Sequence, residues 1–235
     1  MTTGHWSSAS ARLGLLALAT VTVLAVYFFW DLPASPYLVE RRLLTLATMA
    51  VVAVAIGVAT VLFHTVTANR ILTPSIMGLD ALYLALQTAS VFFLGTAHVD
   101  PVVQYLVVIV AMVGFSLLLF TTMLVRLNRS VTMMVLVGVL LGGLFRGLSS
   151  FMQRLLDPEA FIILSDRFFA DFTGADPRLL AVSATIVTVC SALAWCSRNQ
   201  LDVVALGRDL AIGLGVDHRR ASLRILLLVS ILVGT

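Results

Sequence analysis

The chain has 235 residues, 60% hydrophobic and 11% charged, and its net charge of +3 is carried on the basic side wholly by arginine, because lysine is absent. Its mean hydropathy is +1.05; soluble domains carry roughly 25% charged and 45–50% apolar residues, so the solvent this chain suits is a bilayer. The small basic excess, with no arginine block interleaved with aromatics, excludes nucleic acid as a partner.

Apolar runs lie at about 13–30, 43–63, 76–95, 102–125, 131–150 and 179–197, and a seventh starts near 222. Each of the first six has about the 17–25 residues that a helix needs to cross the hydrocarbon. Long runs without alternation must satisfy their backbone groups internally, which predicts helices and excludes a barrel. The expected fold class is therefore all-α: one polytopic transmembrane helical bundle over residues 1–235. The first run lacks a small-residue cleavage site and closes on Tyr27, Phe28, Phe29 and Trp30. Those aromatics suit an interfacial belt, so the run reads as a retained span. Ala221 to Thr235 gives only about 22 Å of helix, short of a crossing, so the bundle is expected to be C-terminally incomplete.

Loop charges predict the orientation. With the N-terminus inside, the inner segments collect Arg12, Arg70, Arg126, Arg129, Arg198 and the four arginines of 208–224. The outer segments hold Arg41, Arg42, Arg154, Arg167 and Arg178 together with most of the acids. That bias places the N-terminus in the cytoplasm.

Enzyme signatures are missing. A phosphate-binding GxxxxGK[ST] loop needs a lysine, HExxH does not occur, and "GLSS" at 147–150 lacks the closing glycine of a GxSxG nucleophile elbow. His5, His64, His98 and His218 are scattered, so neither a metal nor any other cofactor is expected. Cys190 and Cys196 would fall on different helix faces, about 9 Å apart along the axis, which suits small buried hydrophobes rather than a disulfide. A secondary transporter would carry carboxylates inside its spans, and Asp80, near the inner end of the third run, is the one candidate.

Two inner loops stand out. In "NRILTPSIMG" (69–78), Asn69 can cap or turn, Pro74 suits the first turn of a helix, and Gly78 permits close helix approach. "LDVVALGRDLAIGLGVDHRR" follows the sixth run. Here Asp202 can cap a short helix, Gly207, Gly213 and Gly215 punctuate it, and Val203, Val204, Leu206, Leu210, Ile212 and Leu214 supply apolar contacts. An amphipathic helix lying on lipid is one reading. Mixed charges, the glycines and the lack of an aromatic anchor suit a protein groove better.

"ALGRDLAIGLGV" resembles the L-G-x-x-x-A-x-x-L-G-V pattern of the permease subunits of iron–siderophore and cobalamin ABC importers, the FecCD-like family. Leu206, Gly207, Ala211, Leu214, Gly215 and Val216 fall on it. "NRILTPSIMG" resembles the family's N-P-L-A-x-P-x-x-L-G turn through Asn69, Pro74 and Gly78, and "GLSSFMQRLLDPEAF" is similar to the fifth-span exit of its ferric-siderophore branch. The chain departs from the family at His64 (usually glutamine), at Arg70 (usually proline), and at Thr45, where an R-x-P-R pattern begun by Arg42 would end. Family members have about ten spans, so about three and part of a fourth would be missing here.

The resemblance implies a permease domain with no catalysis of its own. Two short coupling helices at about 201–216, including Arg208, would seat in a cytoplasmic ABC ATPase. A second permease copy or paralogue and an extracytoplasmic siderophore-binding protein would complete the machine, with Arg41 and Arg42 meeting acids on the binding protein. The cargo implied is a ferric siderophore; cobalamin or haem is the alternative within the family. The fifth run would line the translocation path, placing Arg146, Ser149, Ser150 and Gln153 along it, while Gly142, Gly143 and Gly147 allow close packing. Arg146 is expected near the outer end of that run, where snorkelling to the interface is the competing reading.

Overall fold

A computed structural model describes residues 4–29, 36–67, 70, 72–94, 100–122, 131–168 and 176–235. The described residues form an all-α bundle. Helices α1 (Gly4–Phe29) and α2 (Pro36–Thr67) are followed by a 3₁₀ turn, Pro74–Met77, then α3 (Leu79–Leu94), α4 (Pro101–Phe120) and α5 (Val131–Leu155). After these come α6 (Pro158–Phe168), α7 (Pro177–Cys196), α8 (Arg198–Ala205), α9 (Arg208–Gly213) and α10 (His218–Gly234). Among the described residues, five stretches are long and apolar enough to cross a membrane: Ser10–Phe29, Tyr37–Thr67, Pro101–Phe120, Val135–Leu155 and Pro177–Cys196.

Local chemistry sets the helix starts. Asp100 and Asp176 each accept a hydrogen bond from the backbone N–H two residues on, at 2.8 Å, with a proline at the first helical position. The proline has no N–H to leave unsatisfied, and the carboxylate satisfies another of the donors that a helix start exposes. Asp217 caps α10 by accepting from Arg220 N at 3.1 Å.

The core forms around α10, which packs against α2, α4 and α7. Leu226, Val229 and Leu232 of α10 are buried with Phe63 of α2 and Met112 of α4. Since lipid tails are as apolar as leucine, polar contacts and small residues hold such helices together. The Tyr105 hydroxyl donates to the Thr235 carbonyl at 2.8 Å and lies 2.6 Å from Ser183 Oγ, joining α4, α10 and α7. Gln104 donates to Ser90 Oγ at 2.9 Å, tying α4 to α3. Helix α1 keeps its side chains exposed from Ser10 to Tyr27, but Arg42 of α2 donates to the Phe28 carbonyl at its C-terminal end, at 2.8 Å.

Several boundaries differ from the expected ones. The third apolar run is not one span: it opens with the 3₁₀ turn, and α3 is only 16 residues long. Gly78 interrupts the helix with φ 75°, a left-handed conformation that glycine adopts freely. The fifth run continues to Leu155 instead of ending at 150. Asp202 caps nothing: it lies inside α8, because α8 starts at Arg198, a single residue after α7 ends. Cys190 is buried as expected, whereas Cys196 is exposed at the end of α7. Trp30 lies outside the described residues.

Candidate functional site

Two places gather the candidate residues. The first is the elbow of α8 and α9. Gly207, at φ 96° and ψ 168°, starts α9 in a conformation open essentially to glycine alone. At the other end, Gly215 N donates to the Ile212 carbonyl and Val216 N to the Ala211 carbonyl, both at 3.0 Å. With Gly215 at φ 80°, this is a Schellman closure, which ends a six-residue helix abruptly. Val204 and Ala211 are buried, so they hold the elbow to the bundle through α2 and α10. Leu206, Leu210, Ile212 and Leu214 point the other way and are between 55% and 62% exposed, with Arg208 also exposed. A polar loop with that many uncovered leucines is an apolar knob, suited to a protein cleft. Where the elbow meets α10, burial and then the nearby Arg208 hold the His218 imidazole below its ordinary pKa.

The second place is α5, which runs parallel to α3. Gly138 and Gly142 lie against Met77 and Gly78: a Cβ added to Gly78 would stand 2.7 Å from the Gly138 carbonyl oxygen and 2.8 Å from Gly142 Cα. Pro74, itself buried, begins the 3₁₀ turn that carries the buried Met77 into this contact; Asn69 lies outside the described residues. Further along the crossing, Thr88 and Ser149 share a buried hydrogen bond of 2.7 Å, and Gln153 donates to Ser149 Oγ at 3.0 Å. Arg146 donates to Asp80 Oδ2 at 3.0 Å. Because α5 extends to Leu155, Arg146 is not near the end of its span. It stands close to the middle of Val135–Leu155, about 13 Å of helix from the last residue. Its guanidinium turns back toward the start of α3 instead of snorkelling outward.

The exposed surface of α5 is divided by its helical spacing. Leu136, Leu140, Leu144, Leu148, Phe151 and Leu155 recur every three or four residues as one large apolar stripe. Gly143, Arg146, Gly147, Ser150 and Arg154 form a neighbouring stripe of small and polar residues. At its end Ser150, Gln153 and Arg154 join Leu156, Pro158 and Phe161 of the α6 turn in an open groove of about 470 Å³. Ser149, by contrast, is buried between α3 and α5. Helix α6 is not among the expected runs, and Arg154, expected only as an outer-loop charge, reaches the groove. Arg41 and Arg42 lie one turn into α2. Arg41 donates to the Tyr37 hydroxyl at 3.0 Å and lies 5.5 Å over its ring, while Arg42 reaches the end of α1.

Comparison with known proteins identifies the architecture. Residues 9–235 match the FecCD transport family. The chain belongs to that family. Within it, the chain is 34% identical over 226 residues to the petrobactin import system permease protein YclO of Bacillus subtilis (strain 168), covering 95% of this chain and 72% of that protein. It is 33% identical over 207 residues to the petrobactin import system permease protein FatC of Bacillus anthracis, covering 87% of this chain and 58% of that one. The fold is that of a solved chain described as a metal-chelate type ABC transporter in an inward-facing conformation. The TM-score is 0.78 at 20% identity, over 96% of this chain and 74% of that one. This FecCD family member is thus a multi-pass membrane permease.

Proposed function

We propose that this chain is the membrane-spanning permease subunit of an ABC importer that carries a ferric siderophore across the bacterial cytoplasmic membrane. ATP is hydrolysed on a separate ATPase chain, and the permease performs no covalent chemistry. The observation that carries this reading is the α8–α9 elbow, an apolar knob on two left-handed glycines in a chain of the FecCD transport family. Kinship with two petrobactin import permeases supports the siderophore as cargo.

The N-terminus is cytoplasmic, as the arginine bias favours. The elbow then faces the cytoplasm, and its exposed Leu206, Leu210, Ile212 and Leu214 enter a cleft of the ATPase, where Gly207 and Gly215 let the short helix pivot. The groove between α5 and α6 opens outward, and the small, polar stripe of α5, with Arg146, Ser150 and Gln153, faces a second permease across the path. The test is co-purification from membranes that express the complete importer. Leu210→Ser combined with Leu214→Ser, both on the exposed surface, leaves membrane abundance unchanged and removes the ATPase along with chelate uptake. Retention of the ATPase by that variant refutes the docking role.

Arg41 and Arg42, at the outer start of α2, receive acidic residues of an extracytoplasmic binding protein. Arg42→Glu weakens binding-protein docking by about tenfold at low salt, and less at high salt. Unchanged affinity at low salt would leave Arg42 as the cap of α1 alone.

A further inference from the structure

The mid-span pair of Arg146 and Asp80 is built unlike a structural brace. A charge at this depth is costly unless it is paired and its remaining hydrogen-bonding groups are satisfied. A brace therefore takes the bidentate form, with two guanidinium N–H groups on two carboxylate oxygens. Here a single contact of 3.0 Å joins Nη2 to Oδ2. The second carboxylate oxygen, Asp80 Oδ1, is buried without a hydrogen-bond partner among the described residues. The guanidinium has five donors, and its one ion pair among the described residues is the contact with Asp80. The Arg146 and Asp80 side chains keep 63% and 44% of their surface exposed, Arg146 on the α5 stripe with Gly143, Gly147 and Ser150. Charges so uncovered face protein or water, not lipid.

We propose that Asp80 is the displaceable counterion of Arg146. It neutralises the guanidinium when the path is empty and yields it to the carboxylate or catecholate oxygens of an anionic ferric chelate. This rests on the chelate-import function proposed above and adds to it a residue that sets the charge selectivity of the path. The physical need is for release. A bare arginine at mid-span would hold an anion tightly, whereas a path must bind its cargo weakly enough to let it go. A carboxylate 3.0 Å away competes for the same donors and returns the guanidinium to its neutral pair once the cargo moves on. Arg154, in the groove at the end of the stripe, draws the same anion to the entrance.

The experiment measures uptake of an anionic ferric tris-catecholate and a neutral ferric tris-hydroxamate by cells that depend on the complete importer, at equal membrane abundance. Asp80→Asn lowers the half-saturating concentration of the anionic complex by about tenfold, slows its maximal uptake, and leaves the neutral complex unaffected. Arg146→Gln raises that concentration for the anionic complex alone. If either single variant fails to reach the membrane, the double variant Asp80→Asn with Arg146→Gln, which has no unpaired charge, loses the preference of the unaltered protein for the anionic complex. An anionic-to-neutral ratio that stays at the unaltered value in Asp80→Asn, or in the double variant, overturns the counterion role and makes the pair a brace between α3 and α5. No uptake of either complex by the unaltered importer removes the chelate function, and this inference with it; uptake with an unmoved ratio removes the inference alone.

Discussion

At the crossing of α3 and α5, a Cβ added to Gly138 would stand 2.6 Å from the Met77 carbonyl oxygen; one added to Gly207 or Gly215 would meet nothing within 4 Å. Both regions depend on glycine, for different reasons. The crossing needs the missing side chain, because two backbones approach too closely for any other residue. The elbow needs the missing steric restriction on φ, because its two glycines turn left-handed in open space. Gly78 needs both: φ is 75°, and the Gly138 carbonyl oxygen would lie 2.7 Å from its Cβ. The first region resists motion because it is closely packed; the second is held to the bundle through Val204 and Ala211, and its glycines and exposed leucines have room to turn.

Alanine substitutions separate the two causes. Gly78→Ala has the largest effect, since it combines overpacking with a left-handed alanine, which together cost roughly 2–5 kcal/mol. Gly138→Ala keeps an ordinary helical backbone and incurs only the overpacking, about 1–3 kcal/mol. Membrane abundance and resistance to heat in detergent fall in that order, with Gly78→Ala lowest. A Gly138→Ala protein as abundant and heat-resistant as the unaltered chain would show that the close crossing of α3 and α5 contributes nothing to the fold.

The difference between the regions also explains how much the sequence discloses. Hydropathy finds the long helices because the bilayer imposes one length and one polarity on each of them. The Asp-Pro pairs at 100–101 and 176–177 mark two of the starts. The elbow is legible because its pattern is local: the glycines, the leucines and the charges all lie within 201–216. The α5 site is legible only in part. Spacing puts Arg146, Ser150 and Gln153 on neighbouring faces of one helix, but Asp80 is 66 residues away, and nothing in a linear pattern joins them. Hydropathy ends the fifth run at the first polar cluster, which puts Arg146 near the end of that run. The helix itself continues through Gln153 and Arg154 to Leu155, since those side chains have a groove to occupy. Asp202 is no cap for a related reason: a turn of one residue, Ser197, puts the helix start upstream of it.

The smallest effect on the folded chain belongs to Gly215, and it separates a conformational requirement from a requirement for space. Valine at φ 80° is strained by about 1–3 kcal/mol, whereas asparagine tolerates the left-handed region and often closes helices there. A Cβ at this position meets nothing within 4 Å, so the contrast between the two residues tests the backbone conformation. The strain falls on the last turn of α9 and on the Val216-to-Ala211 hydrogen bond that closes it, not on the buried core around α10. Gly215→Val therefore reaches the membrane at nearly the unaltered level but loses most of its co-purifying ATPase, because α9 no longer ends where Leu214 is presented. Gly215→Asn retains the ATPase. Equal loss in both variants would mean that the partner approaches the residue itself, so that Gly215, like Gly138, is there to make room.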